Sequence, residues 1–263
     1  MKLKIANDAR PQVATLMLAT ALSVVLWFIP YAELLTYPFR IFVTFIHEGG
    51  HALAALLTGN SVQSLTVSMD GSGEVYSVTG GLFSKMFVSS AGYLGAMAFG
   101  ALLLVLIRRT VAARRVLAAS GVLIFALTVL FGFLAPVWNL SLPGLFTLVA
   151  GVALPVGLLA AARYAGARAA SFLVSFIAVQ CVLNALFDLR TVFMLSAASN
   201  QPTDAGNMAS AFSVFPLTSS IFWSIMWIGV SFVLLSLALR AYAVSKDGPK
   251  QPDLPFEDSP LEV

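Results

Sequence analysis

Seven stretches of this chain run for about eighteen to twenty-eight residues with few charges: about 13 to 30, 39 to 58, 85 to 107, 116 to 135, 142 to 162, 169 to 195 and 214 to 241. Roughly twenty apolar residues is the length at which an α-helix crosses the hydrocarbon core, and there the backbone must satisfy its own hydrogen bonds. The expected fold is therefore an all-α polytopic membrane protein, a single bundle of about six to seven transmembrane helices. Composition agrees: 59% of the 263 residues are hydrophobic and 10% charged, against about 25% charged in soluble domains. Residues 1–245 read as one domain. The remainder, 246–263, is rich in proline and charge and reads as a disordered tail.

Between the apolar runs lie small basic groups, such as Arg108, Arg109, Arg114 and Arg115, then Arg163 and Arg168. Their placement marks membrane orientation and not nucleic-acid binding. With seven full crossings, Lys2, Lys4, Arg10, Lys85 and Arg190 share one side. The larger set, from Arg40 to Lys250, shares the other and is expected to be cytoplasmic. A re-entrant early segment would instead gather every basic cluster on one face, and both topologies stay open. The first apolar run follows Lys2, Lys4 and Arg10 but is followed by Pro30, Tyr31, Ala32 and Glu33 and not by a small-residue cleavage site, so it reads as an uncleaved span. A single cysteine, Cys181, leaves the redox compartment unreadable.

Two connections carry structure of their own. Ser61–Val78 alternates Leu65, Val67 and Met69 with polar residues, turns at Asp70–Gly73 and resumes with Val75 and Val78, the pattern of a β-hairpin. Asn200–Met208 is a polar loop before the last span.

The second run contains FVTFIHEGGHALAALL, from Phe42 to Leu57. On a helix, His47 and His51 project from one face, one turn apart, with Glu48 on the adjoining side. This is the HExxH arrangement, in which two imidazoles bind zinc and the glutamate acts as base on a water. Random placement of two histidines and five glutamates would give it on the order of once in thousands of such chains. A pair of core histidines bonded to backbone is the plainer reading. It does not explain a glutamate between them deep in an apolar run, where ionisable groups are costly. Gly49 and Gly50 lower helix propensity and are expected to leave space beside the metal.

A catalytic zinc site has three protein ligands, and no histidine remains. The third ligand is therefore a carboxylate. Asp188, which interrupts QCVLNALFDLRTVFML, is the first candidate, and Asp204 in the polar loop is the alternative. Asp188 also fits a structural role, pairing with Arg190 at a helix end. Asp70 and Glu74 lie in the hairpin turn, where solvated carboxylates are ordinary. Asn184 stands one turn before Asp188 on the same face. The hairpin's edge strand is suited to accept an extended polypeptide as an added strand, or it is only a connector. Gly92 and Gly95 in SSAGYLGAM point to close helix packing.

Taken together, His47, Glu48 and His51 in an early span, the hairpin, SSAGYLGAM and a later helix bearing Asp188 resemble the site-2 protease family of intramembrane zinc metalloproteases. The likeness is to a compact branch found in bacteria and plants without PDZ domains, and covers roughly 39–240. It implies one Zn2+ ion held by His47, His51 and Asp188, with Glu48 as general base and Asn184 holding substrate. It further implies cleavage of a membrane-spanning protein by a multi-pass protein of a bacterial cell membrane. Family members carry the aspartate in Leu-Asp-Gly after Asn-x-x-Pro. Here Asp188 lies between Phe187 and Leu189, and no proline follows Asn184. Two other classes remain: a non-catalytic scaffold on the same fold, and a metal-handling transporter, which would carry more intramembrane charges or inverted repeats.

Overall fold

The computed structural model describes residues 10–26, 28–78, 80–108, 113–198 and 203–243. The proposed tail and the basic Lys2 and Lys4 lie outside them. In chain order the elements are α1 (Arg10–Leu26), α2 (Glu33–Leu57), β1 (Val62–Val67), β2 (Gly73–Ser77), α3 (Leu82–Arg108) and α4 (Ala113–Leu127). A π-helical stretch, Thr128–Leu134, then carries α4 into α5 (Ala135–Trp138). They are followed by α6 (Leu145–Tyr164), α7 (Ala167–Ala198), α8 (Asp204–Ala209) and α9 (Ser220–Ala243). Each of the seven apolar stretches forms a helix. Five of these, α3, α4 with its continuation, α6, α7 and α9, are long and apolar enough to cross a membrane. α1 is shorter, and α2 is interrupted by Arg40, His47, Glu48 and His51.

α2 is the most enclosed of the early helices. Ile41, Phe45, Ala52 and Ala55 are buried to 2% exposure or less, and the helix packs against α3, the hairpin and α7. Small residues make the α3 contact close. A side chain on Gly50 would run into the carbonyl of Ala91, and a Cβ on Gly95 would stand 3.7 Å from the Cα of Gly50. In lipid, where apolar side chains gain little by leaving their solvent, such backbone proximity is what packing energy comes from. Gly49 turns to the other flank, where a Cβ would meet the Leu127 side chain of α4. The space expected at Gly49 and Gly50 is thus taken by neighbouring helices.

Gly59, in the left-handed region at φ +77°, ends α2 as glycine commonly does at a helix C-terminus. The hairpin follows. Leu65 and Val67 are buried as the alternation predicts, while Met69 is exposed because β1 ends at Val67. Asp70 braces the turn by accepting from the Ser72 amide (2.9 Å) and hydroxyl (2.7 Å). α2 clasps the same turn from the side: the Tyr37 hydroxyl donates to the Met69 carbonyl (2.6 Å) and Thr44 to that of Gly71 (2.9 Å).

The register determines which edge of the hairpin is open. Ser68 N–H donates to the Ser72 carbonyl at 2.9 Å, which makes that pair hydrogen-bonded. By alternation, Val67 opposite Gly73 and Leu65 opposite Val75 turn their N–H and C=O groups away from the partner strand. On the β1 side Thr147 of α6 meets them. Its hydroxyl accepts from Val67 N–H (2.9 Å) and donates to Val67 C=O (3.1 Å), as a neighbouring strand would. On the β2 side Gly73 and Val75 line a cavity.

Replacing the fully buried Thr147 with valine keeps the shape but strands both Val67 groups. We expect a loss of about 1–3 kcal/mol, seen as a lower melting temperature in detergent, with faster amide exchange at Val67. An unchanged melting temperature would show that β1 does not depend on this clasp.

Candidate metal centre

His47 and His51 leave α2 on the face turned to α3, and their rings approach edge-on with centroids 4.9 Å apart. The Nδ1 atom of His51 lies 2.7 Å from the Val88 carbonyl of α3. A carbonyl only accepts, so this nitrogen keeps its proton in the neutral as in the charged ring, and the neutral ring, the metal-binding form, presents a lone pair at Nε2. That Nε2 stands 3.1 Å from His47 Nε2. The His47 ring is held on its other side by Tyr93 of α3, edge-on at 4.6 Å, and Tyr93 is stacked in turn on Trp227 of α9 at 5.5 Å. Trp227 Nε1 donates to Ser90 Oγ at 3.0 Å, fixing the stack to α3.

The third group comes from α8. Asp204 Oδ2 is 3.3 Å from His51 Nε2 and 3.7 Å from His47 Nε2. α8 is short, but it is capped and docked. Thr203 accepts from the Gly206 amide at 3.1 Å, and Ala205, Met208 and Ala209 are buried in a cluster with Tyr93 and Trp227. Burial alone would push the Asp204 carboxyl up; His51 and then His47 more than offset this and hold it below the usual carboxylate range.

Three lone-pair atoms thus form a triangle with sides of 3.1, 3.3 and 3.7 Å. The edge of a tetrahedron with metal–ligand bonds of about 2.0–2.1 Å is about 3.3–3.4 Å. The donor set, two imidazoles and a carboxylate, suits a divalent cation such as zinc, and among the described residues it is a group able to hold a metal ion. Opposite the triangle is Gly92 of α3, where a Cβ would collide with the Nε2 atoms of both histidines.

Glu48 is 5% exposed. Its carboxylate lies against β2: a Cβ on Gly73 would come within 2.6 Å of Oε1. His47, Glu48, His51, Asp188 and Asp204 all line one cavity of about 800 Å3, whose wall also includes the open β2 edge. Both sequence candidates for the third ligand therefore face the same space. Asp204 is grouped with the histidines, and Asp188 on α7 is not part of that group. Asn184 does not line the cavity; its amide donates to the Gln180 carbonyl at 2.8 Å, and the Gln180 side chain donates to Ser23 of α1 at 3.3 Å. Tyr93 and Trp227 were not singled out in the sequence. Their only signal there is aromatic character, which the chain's twenty phenylalanines obscure.

A family model described as Peptidase M50B-like matches residues 15–238. No curated protein and no solved structure matches the chain.

The geometry predicts which carboxylate a metal depends on. Asp204→Ala should lower the metal content of purified protein by at least about tenfold, the scale on which even ligand-supporting groups act, whereas Asp188→Ala should retain it. Metal analysis of the two variants checks this, and the reverse pattern would return the ligand role to Asp188.

Proposed function

The chain belongs to the Peptidase M50B-like family, and on that premise we propose that it is a zinc-dependent metalloendopeptidase cleaving a membrane-spanning protein within or near the bilayer. The observation that carries this reading is the convergence of His47 Nε2, His51 Nε2 and Asp204 Oδ2 on one point with a buried Glu48 beside it. We assign His47, His51 and Asp204 as the zinc ligands. Zinc bound there supplies Lewis acidity at a carbonyl and a water acidic enough to lose its proton near neutral pH. Asp188 faces the cavity as an additional carboxylate, outside the ligand set.

Glu48 is the general base in this proposal. It takes the attacking water's proton as the new C–O bond forms, and returns a proton to the nitrogen as the C–N bond breaks. Val88 holds His51 in the tautomer that leaves Nε2 free, and Tyr93 keeps the His47 ring from rotating. Both contacts fix ligand direction before substrate arrives, which is where preorganisation contributes to rate.

A transmembrane helix hides its carbonyls in i to i+4 hydrogen bonds, so the substrate must be extended at the cut. The outward backbone groups of Gly73 and Val75 are suited to hold it as an added strand. Gly73 also touches Glu48, which would set the scissile peptide beside the base. Thr147 occupies the other edge of the hairpin, leaving β2 as the edge for such pairing.

Two variants test these roles. Glu48→Gln should keep zinc bound while cleavage of a reporter membrane protein falls by about 10²–10⁴-fold or more; full activity would sink the assignment. Val75→Pro removes an N–H that the β1 ladder does not use, a substitution edge strands tolerate. It should lower kcat/KM with zinc content unchanged, whereas undiminished cleavage would leave the hairpin as a connector only.

A further inference from the structure

Gly92 sits inside α3, in ordinary helical conformation, so its backbone does not require glycine: positive φ is confined to Tyr31, Gly59, Gly71 and Leu140 among the described residues. Glycine in a helix interior is unfavourable relative to alanine, and something else must account for it here. The neighbouring Gly50 and Gly95 are explained by helix packing, since one receives the Ala91 carbonyl and the other faces Gly50. Gly92 is different. The atoms that a Cβ there would strike first are the Nε2 atoms of His47 and His51, the two that aim at the same point as Asp204 Oδ2.

From this we infer that Gly92 is a positioning residue that keeps the metal's place clear: the missing side chain leaves room for an ion between α3 and the two imidazoles. The inference rests on the proposal that the site binds zinc, and deepens it by giving α3 a part in metal uptake without contributing a ligand. A methyl group at position 92 would push the rings off their shared point, and the ion would lose both nitrogens together. Packing of α2 on α3 would be little affected, because the methyl group meets the ring nitrogens and not the neighbouring backbone.

The test compares metal uptake with fold stability in the full-length protein purified in detergent. Zinc content and the zinc-induced rise in melting temperature, which follows from ligand binding to the folded state, are measured for wild type, Gly92→Ala and Gly95→Ala. We expect wild type and Gly95→Ala to take up about one zinc per chain and to show the rise. Gly92→Ala should take up at least about tenfold less at the same free zinc, while its metal-free form still melts cooperatively, because the atoms displaced are the free ends of two side chains. If Gly92→Ala fails to fold, the triple variant His47→Ala/His51→Ala/Gly92→Ala, which lacks both rings the methyl would strike, should fold again. Failure there too would mean that Gly92 serves packing, and would overturn the inference. Equal zinc uptake by Gly92→Ala and wild type would overturn it alone. A wild-type protein that takes up no zinc would instead overturn the metalloprotease reading and the inference with it.

Discussion

The backbones of α2 and α3 touch where Gly50 meets Ala91, and the candidate centre depends on that contact. Because the two helices approach without intervening side chains, the Val88 carbonyl comes within 2.7 Å of His51 Nδ1 and Tyr93 reaches the His47 ring. A methyl group on Gly50 would strike the Ala91 carbonyl and move α3 away from both imidazoles at once. The histidines are one turn apart by helical periodicity, but their convergence comes from the neighbouring helix.

The hairpin meets a second constraint. A buried backbone group without a partner is expensive, so a sheet edge is either covered by protein or left to a polar cavity. Both solutions occur in this one small sheet. Thr147 covers β1 with a single hydroxyl that both accepts and donates. The β2 edge is left to the cavity shared with His47, Glu48 and Asp204. The edge of the sheet that remains available is therefore the one beside His47, Glu48 and Asp204.

The elements legible in the sequence were those with a strong local signature. Apolar runs of helical length gave the bundle, strict alternation around Asp70–Gly73 gave the hairpin, and the i, i+4 spacing of His47 and His51 gave one face of the centre. α8 was harder. Asn200–Met208 reads as a polar loop because Thr203, Asp204 and Asn207 dominate its composition, yet Ala205, Met208 and Ala209 form a small apolar stripe that docks beside Tyr93. Six residues are too few for periodicity to stand out, and the docking partners are distant in sequence. Asp188 attracted notice for the opposite reason, since a charge within an apolar run is conspicuous whatever it contacts. The partners of Gly92, Thr147 and Tyr93 are likewise set by tertiary approach, which no local pattern encodes.

The short docked helix α8 also bears on the order of events during biosynthesis. His47, Glu48 and His51 leave the ribosome early, with only α1 ahead of them, whereas Asp204 follows α7 and its seat is completed by Trp223 and Trp227 of α9. A nascent chain thus carries Glu48 and the two imidazoles through most of its synthesis without the carboxylate that completes the group. On the proposed reading, the three-ligand centre is complete only once the last helix has taken its place.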